Sequence, residues 1–448
     1  MRHVLLRGLI GAGALFGATV LSGCGTGVYS DAGKPVTVMG TAVQGIVMGG
    51  QQPVAGVTVQ LYQAGATGYG SASTPLGPSV QTTSNGNFNL PSYTCAAGSQ
   101  VYLVGTGGQP IAATMSSPAV TNSNLAMMVG LGTCGGTYLN NFINVNELTT
   151  VATVWALAPF MSGVANIGSS STNGAGLADA FAAVNELVAT ANGTLPGPTL
   201  PAGATLPTTE INTLGDILEQ CINSGGGVAG DGSNCGNLFS VAPNAAGTVY
   251  PTDTITAAMN IAQSPGRNVA NLNKLRSSSP VFQPALDVNS PPSAWTLAIT
   301  YVGGGLNTPS SIAVDAAGAV WISNKGNSSV TKLDDTGAAV SGTGGFTAGG
   351  FNAPSAIAID GGGNAWVANS GNNTITELSS TDSSGTVYSG NGLSAPGSIA
   401  IDGSGDVWVA NTGSNSVSAF SSSGAALTGS PFSGAGTSAP TSVAVTPK

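Results

Sequence analysis

The stretch that decides the architecture is Pro309-Ser310-Ser311-Ile312-Ala313-Val314-Asp315-Ala316-Ala317-Gly318-Ala319-Val320-Trp321-Ile322-Ser323-Asn324. It returns as Pro354-Ser355-Ala356-Ile357-Ala358-Ile359-Asp360, running on to Trp366-Val367-Ala368-Asn369. It returns again as Pro396-Gly397-Ser398-Ile399-Ala400-Ile401-Asp402 with Trp408-Val409-Ala410-Asn411. A fourth start is Pro440-Thr441-Ser442-Val443-Ala444-Val445. Trp321, Trp366 and Trp408 recur at intervals of 45 and 42 residues. A period of about 40–45 with several short strands per unit marks β-propeller blades.

Each part of the unit has a physical role. Ile-Ala-Val/Ile reads as a buried inner strand, and Asp-x-x-Gly as a tight turn with Gly at the positive-φ position. The Trp strand packs between neighbouring sheets. An Asn-x-Gly turn then leads into Ser329-Val330-Thr331, Thr374-Ile375-Thr376 or Ser416-Val417-Ser418. The segment, and the Trp-Val-Ala-Asn form above all, resembles NHL-type blades and virginiamycin B lyase repeats. The wider arrangement, with Asn146-Glu147-Leu148-Thr149-Thr150 and Pro251-Thr252-Asp253-Thr254, resembles exported NHL-repeat proteins of soil bacteria. Trp295–Tyr301 reads as a further outer strand, so residues 295–448 hold three full repeats plus flanking strands. The resemblance implies six blades in a closed ring. A partial propeller therefore leaves three alternatives: a homodimer completing the ring, a fan covered by the rest of the chain, or a truncated member. An uncovered sheet edge invites association, which favours the first two.

Upstream, Arg2, His3 and Arg7 precede an apolar run from Gly8 to Val20, shorter than the ~20 residues of a membrane span. Leu21-Ser22-Gly23-Cys24 follows and resembles the bacterial lipoprotein cleavage site. The resemblance implies a signal peptide over 1–23, lipid on Cys24 and attachment to a membrane through that anchor. Gly25, in place of an Asp retention signal, points by the same resemblance to the outer membrane of the cell envelope. An ordinary signal peptide or an uncleaved anchor is the alternative.

Only 6% of the residues are charged and 68 are Gly, against about 25% charge in an average soluble protein. Ser, Thr, Asn and Gly must cover the surface. Without Arg2 and Arg7 the nine basic residues become seven against 18 acidic ones, which argues against nucleic acid as a partner. His3 is the only histidine and lies in the leader. The mature chain can run no His-dependent general-base chemistry and form no His-ligated metal site. No metal site and no cofactor is expected. Cys95, Cys134, Cys221 and Cys235 form an even set in an exported chain. Of three pairings, the sequence-local Cys95–Cys134 and Cys221–Cys235 are favoured.

A Gly/Ser tether occupies 24–36. From 37 to 118, Val54-Ala55-Gly56-Val57-Thr58-Val59-Gln60-Leu61-Tyr62 alternates with period two, and Asn85-Gly86 marks a hairpin turn. The order of these motifs resembles carboxypeptidase regulatory-like β-sandwich domains, which act as non-catalytic spacers. Residues 124–278 switch to helical spacing. Leu148, Val151, Ala152, Trp155 and Ala158 share a face, as do Leu177, Phe181, Val184 and Val188, and Ile211, Leu214, Ile217, Leu218 and Cys221. Ile255, Ala258, Met259 and Ala262 continue the pattern after Thr252-Asp253, and Val269, Leu272 and Leu275 imply a short fifth helix. Trp155 and Phe181 read as core.

The whole is a mainly β, multidomain chain: a sandwich, a small helical region and a partial propeller. The function it implies is a non-catalytic surface lipoprotein that binds or scaffolds through the propeller, with a protein or glycan as ligand. Asp315, Asp360, Asp402, Asn324, Asn369 and Asn411 are the candidate binding-face turns, although plain turn-making is the favoured explanation of these residue types. Trp321, Trp366 and Trp408 are repeat core. The alternatives are a lyase- or lactonase-type enzyme and a self-assembling envelope component. Against the enzyme, lyase chemistry relies on a histidine that the mature chain lacks, and the acids here repeat rather than stand alone.

Overall fold

The computed structural model describes residues 36–110, 119–136, 142–380, 384–434 and 436–446. The leader, Cys24 and nearly all of the tether lie outside them. Strand makes up 32% of the chain and helix 17%, so the protein is mainly β.

Period-two alternation produces two sheets. In Val43–Gly49 every second residue is buried, and Val59 and Leu61 point inward from Thr58–Gln63. One antiparallel sheet runs Thr74–Gln81, Thr58–Gln63, Gln100–Thr106, Ala126–Thr133. In the other, Val43–Gly49 pairs antiparallel with Asn87–Leu90 and parallel with Ile143–Val145. The Asn85-Gly86 turn carries the chain from the first sheet to the second. Gly86 has φ +73°, and a Cβ there would stand 2.6 Å from the Val47 carbonyl oxygen. Cys95–Cys134 and Cys221–Cys235 are both disulfides, the sequence-local pairing.

The expected boundary between sandwich and helices, 118 to 124, is corrected. Ala126–Thr133 is the fourth strand of the first sheet and is buried on both faces, so it shows no alternation. Its second face meets the helices α1 (Glu147–Leu157), α2 (Gly174–Leu187) and α5 (Thr254–Gln263), which come after it in the chain. Thr150 and Thr153 of α1 accept the Met128 and Gly130 amides with their hydroxyls, at 3.0 and 2.9 Å. One apolar core runs from Val43 to Trp295. Sheets and helices therefore form one body.

The remaining helices are α3 (Thr208–Ile222), α4 (Asn234–Val241) and α6 (Val269–Asn273). Capping fixes several starts: Asn146 and Thr149 exchange bonds at α1, Ser233 caps α4, and Asp253 caps α5. Helix α4 was not expected. Cys221–Cys235 joins two helices, because Ser233 starts a new helix just before Cys235.

Three antiparallel blades follow. The first has strands Pro309–Val314, Val320–Asn324 and Ser329–Leu333. The second has Pro354–Ile359, Ala365–Asn369, Thr374–Leu378 and Gly385–Ser389. The third has Pro396–Ile401, Val407–Asn411, Ser416–Phe420 and a two-residue Phe432–Ser433. Neither expected flanking strand forms a ladder. Trp295 is fully buried in the body, where its amide donates to the Pro265 carbonyl and its carbonyl accepts the Trp155 indole N–H. Residues 440–446 pair with no middle strand.

Candidate interaction surface

The repeat residues proposed as a binding face do a different job. Asp315 Oδ1 accepts the amides of Ala317 and Ala319, and Oδ2 accepts the Trp321 indole N–H at 3.0 Å. Asp360 treats Gly362, Asn364 and Trp366 in the same way, and Asp402 treats Ser404, Asp406 and Trp408. Each Asp closes its turn and fixes the tryptophan six residues on. In the first blade the Lys332 ammonium lies 4.3 Å from the centre of the Trp321 ring and 3.9 Å from Asp315 Oδ2. Burial raises the Asp315 pKa, but the Trp321 N–H, the turn amides and Lys332 hold it below the usual value.

Asn324, Asn369 and Asn411 are fully buried, which corrects their assignment to a binding face. Asn369 Nδ2 donates to Thr374 Oγ1 and Thr376 Oγ1 at 3.2 and 3.0 Å, and its Oδ1 accepts the Asn352 amide. Asn324 and Asn411 make the same set with Ser329, Thr331 and Asn307, and with Ser416, Ser418 and Ser394. A buried amide must find partners, and the hydroxyls at alternate positions of the next strand supply them.

What the fan leaves open is apolar. Trp321 packs with Ile357, Ala365 and Val367 of the second blade, and Trp366 with Ile399, Val407 and Val409 of the third. The matching residues of the first blade have no preceding tryptophan. Ile312 is 65% exposed, whereas Ile357 and Ile399 are 6% and 8% exposed. Val314 is 60% exposed. At the other end Trp408 is only half-buried, beside a cavity of about 380 Å³ that it lines with Asp402 and residues 443–446.

A further repeat element went unread in the sequence. Each inner-strand Pro is preceded, eight residues earlier, by an aromatic: Tyr301, Phe346, Tyr388 and Phe432. Tyr388 and Phe432 stack on Trp366 and Trp408 at 5.4 and 5.8 Å between ring centres, and Phe346 lies tilted against Trp321 at 6.1 Å. Tyr301 keeps that register without a ladder. Its hydroxyl donates to Glu186 of α2 at 2.8 Å, as Tyr388 donates to Glu377 at 2.9 Å. Its ring lies where a Cβ on Gly337 (φ +82°) would be, which ties the first blade to the body.

The body has its own cleft of about 420 Å³, with Asn144, Asn146, Asn212 and Phe282 among its walls. Its amides largely hold loops: Asn146 Nδ2 donates to the Gly193 carbonyl and Asn212 Nδ2 to the Pro284 carbonyl. Two acids lie buried nearby. Burial pushes Glu147 up to about 8 and Asp216 up to about 6. Asp216 Oδ1 accepts the Val281 and Phe282 amides, so its work is also to hold a loop. Among the described residues no three His, Cys, Asp or Glu side chains converge as metal ligands.

Comparison with family models and with curated proteins gives no match. Solved structures similar to this chain include virginiamycin B lyase from Staphylococcus aureus. It is 21% identical over 26% of this chain and 39% of its own, with a TM-score of 0.23. Kuenenia stuttgartiensis hydrazine synthase is 19% identical over 32% and 40%, with a TM-score of 0.27. The extracellular domain of a candidate one-component system from Bacteroides thetaiotaomicron is 20% identical over 29% and 18%, with a TM-score of 0.24. The chain thus spans about two fifths, or less, of these three structures.

Proposed function

We propose that this chain is an exported, lipid-anchored, non-catalytic scaffold whose three-blade fan is the interaction module. One observation carries the reading. The polar residues of the repeats are engaged in their own turns and strand latches, while the exposed ends of the fan are apolar. Apolar faces favour a protein partner over a glycan. Two disulfides suit an oxidising compartment. The Leu21–Cys24 motif supplies the anchor, and no helix among the described residues is long and apolar enough to cross a membrane.

Two measurements test this. Labelling with a radioactive fatty acid is expected to mark the wild-type chain and not Cys24→Ala, whose protein leaves the membrane fraction. Cyclic depsipeptides and lactones, offered with and without divalent metal, are expected to stay intact. Turnover above the protein-free rate would replace the scaffold with the enzyme reading.

A further inference from the structure

The cleft of the body is walled by carboxamides. Gln51, Asn144, Asn146, Asn192, Asn212 and Gln283 line it, and its apolar wall includes Leu195 and Phe282. None of the described residues that line it is ionisable. The buried acids nearby stand behind the wall, Glu147 on the Gly50 amide and Asp216 on the amides of Val281 and Phe282.

Several contacts hold the cleft in shape. The Asn144 amide donates to the Thr190 carbonyl at 2.8 Å, and Asn144 Nδ2 donates to the Asn192 carbonyl at 3.2 Å. With the bond from Asn146 Nδ2 to the Gly193 carbonyl, these pin the turn at 190–193. Gly193 has φ +66°, and a Cβ there would stand 2.4 Å from Asn146 Nδ2, so glycine alone lets the turn come this close. Phe282 lies on α3 where Gly215 leaves room, since a Cβ on Gly215 would stand 3.0 Å from its ring.

Bonding capacity is left over after this bracing. Asn212 is only 4% exposed, and its Nδ2 holds the Pro284 carbonyl, but its Oδ1 accepts no bond from the described residues. The Gln51 and Asn192 side chains stand exposed at the rim and bond to none of the described residues. Helix α3 opens on Pro207, which offers no side-chain cap, and Thr208 of that uncapped turn lines the cleft.

We propose that this cleft binds a neutral saccharide. Gln51, Asn192 and Asn212 bond its hydroxyls, and Phe282 and Leu195 take the apolar side of the ring. A carboxamide both donates and accepts, as a sugar hydroxyl does. A charged ligand would lose hydration here without gaining a counter-charge. An extended peptide would need an open strand edge, and the edge at Ile143–Val145 is already taken by the Thr190 carbonyl on the Asn144 amide. The volume of about 420 Å³ falls within the about 300–1,000 Å³ of small-molecule sites. The site belongs to the body, and the reading of the fan does not enter.

The test is saturation-transfer NMR on residues 25–448, which keep the folded unit 37–448. The probes are neutral hexoses, N-acetylhexosamines and their disaccharides, at up to about 20 mM to cover the affinities that a few neutral hydrogen bonds reach. At least one neutral sugar is expected to bind, and glucosamine and glucuronic acid are not. Gln51→Ala combined with Asn192→Ala should weaken binding on the order of 10-fold. Circular dichroism should show that variant folded, since both side chains are exposed and unbonded. Asn327→Ala, an exposed amide on the fan, should leave binding unchanged. The proposal is overturned if no neutral sugar binds, or if binding ignores the double variant. It is also overturned if a charged sugar binds as well as its neutral parent, or if only an uncharged blocked peptide is bound. None of these results bears on the non-catalytic reading or on the fan, which are tested by turnover and by partner binding.

Discussion

Glu147 opens α1 with its side chain entirely inside the body. Oε1 accepts the Gly50 amide at 2.8 Å, and Oε2 has no hydrogen-bond partner. Burial is the largest influence and raises its pKa from 4.5 to about 8. The Gly50 and Glu147 amides pull the other way, and Glu219 and Asp216 add repulsion. The folded chain therefore keeps a proton that the unfolded chain releases. The stability this contributes is complete below about pH 4.5 and is lost as pH rises through about 8. The shift corresponds to roughly 5 kcal/mol as an upper bound. Glu147→Gln keeps the acceptor for Gly50 and removes the charge. At pH 4.5 it should match the wild type within about 1 kcal/mol, and at pH 8.5 it should be more stable by several kcal/mol. Urea unfolding followed by tryptophan fluorescence at pH 4.5, 6, 7 and 8.5 measures this. Asp216 titrates in both proteins, so the difference between them isolates Glu147. A constant difference across that range would refute the reasoning.

The latches and the disulfide give further expectations. Asp360→Ala removes the acceptor of two turn amides and of the buried Trp366 N–H, and should cost about 2–4 kcal/mol in urea unfolding, with a changed near-ultraviolet tryptophan signal. Asn369→Ala removes the acceptor of the Asn352 amide and the donor that Thr374 and Thr376 share inside the second blade and should cost about 2–3 kcal/mol, whereas Asn327→Ala, at an exposed turn, should cost no more than about 1 kcal/mol. Replacing Cys221 and Cys235 together by Ser opens a loop of 14 residues and should cost about 3 kcal/mol, with reductant bringing the wild type to the same midpoint once Cys95→Ser and Cys134→Ser are in the background.

The parts legible in the sequence were those in which one residue's role repeats or alternates. The three blades followed from the Trp spacing, and the two sheets from period-two runs such as Val57, Val59 and Leu61. Ala126–Thr133 escaped because burial on both faces erases alternation, leaving an apolar run that fits a helix region as well as a strand. Asn324, Asn369 and Asn411 were misplaced for a related reason. Their type marks turns, yet each sits at the end of its middle strand and reaches hydroxyls at positions five and seven residues on, an i, i+5, i+7 pattern visible once its purpose is known.

The ends of the fan were the hardest to read, because Ile312 and Ile357 are the same residue in the same repeat position. They differ only in what lies against them, Trp321 for one and nothing for the other. Periodicity describes the residue and not its neighbour, so a repeat reports a joint without reporting whether the joint is filled. The aromatic eight residues before each Pro does carry that information. Four aromatics, Tyr301, Phe346, Tyr388 and Phe432, stand against three repeat tryptophans, Trp321, Trp366 and Trp408, each of which precedes its aromatic. The unmatched member is the first, Tyr301, so the sequence itself places the vacancy ahead of the first blade, where the exposed Ile312 and Val314 lie.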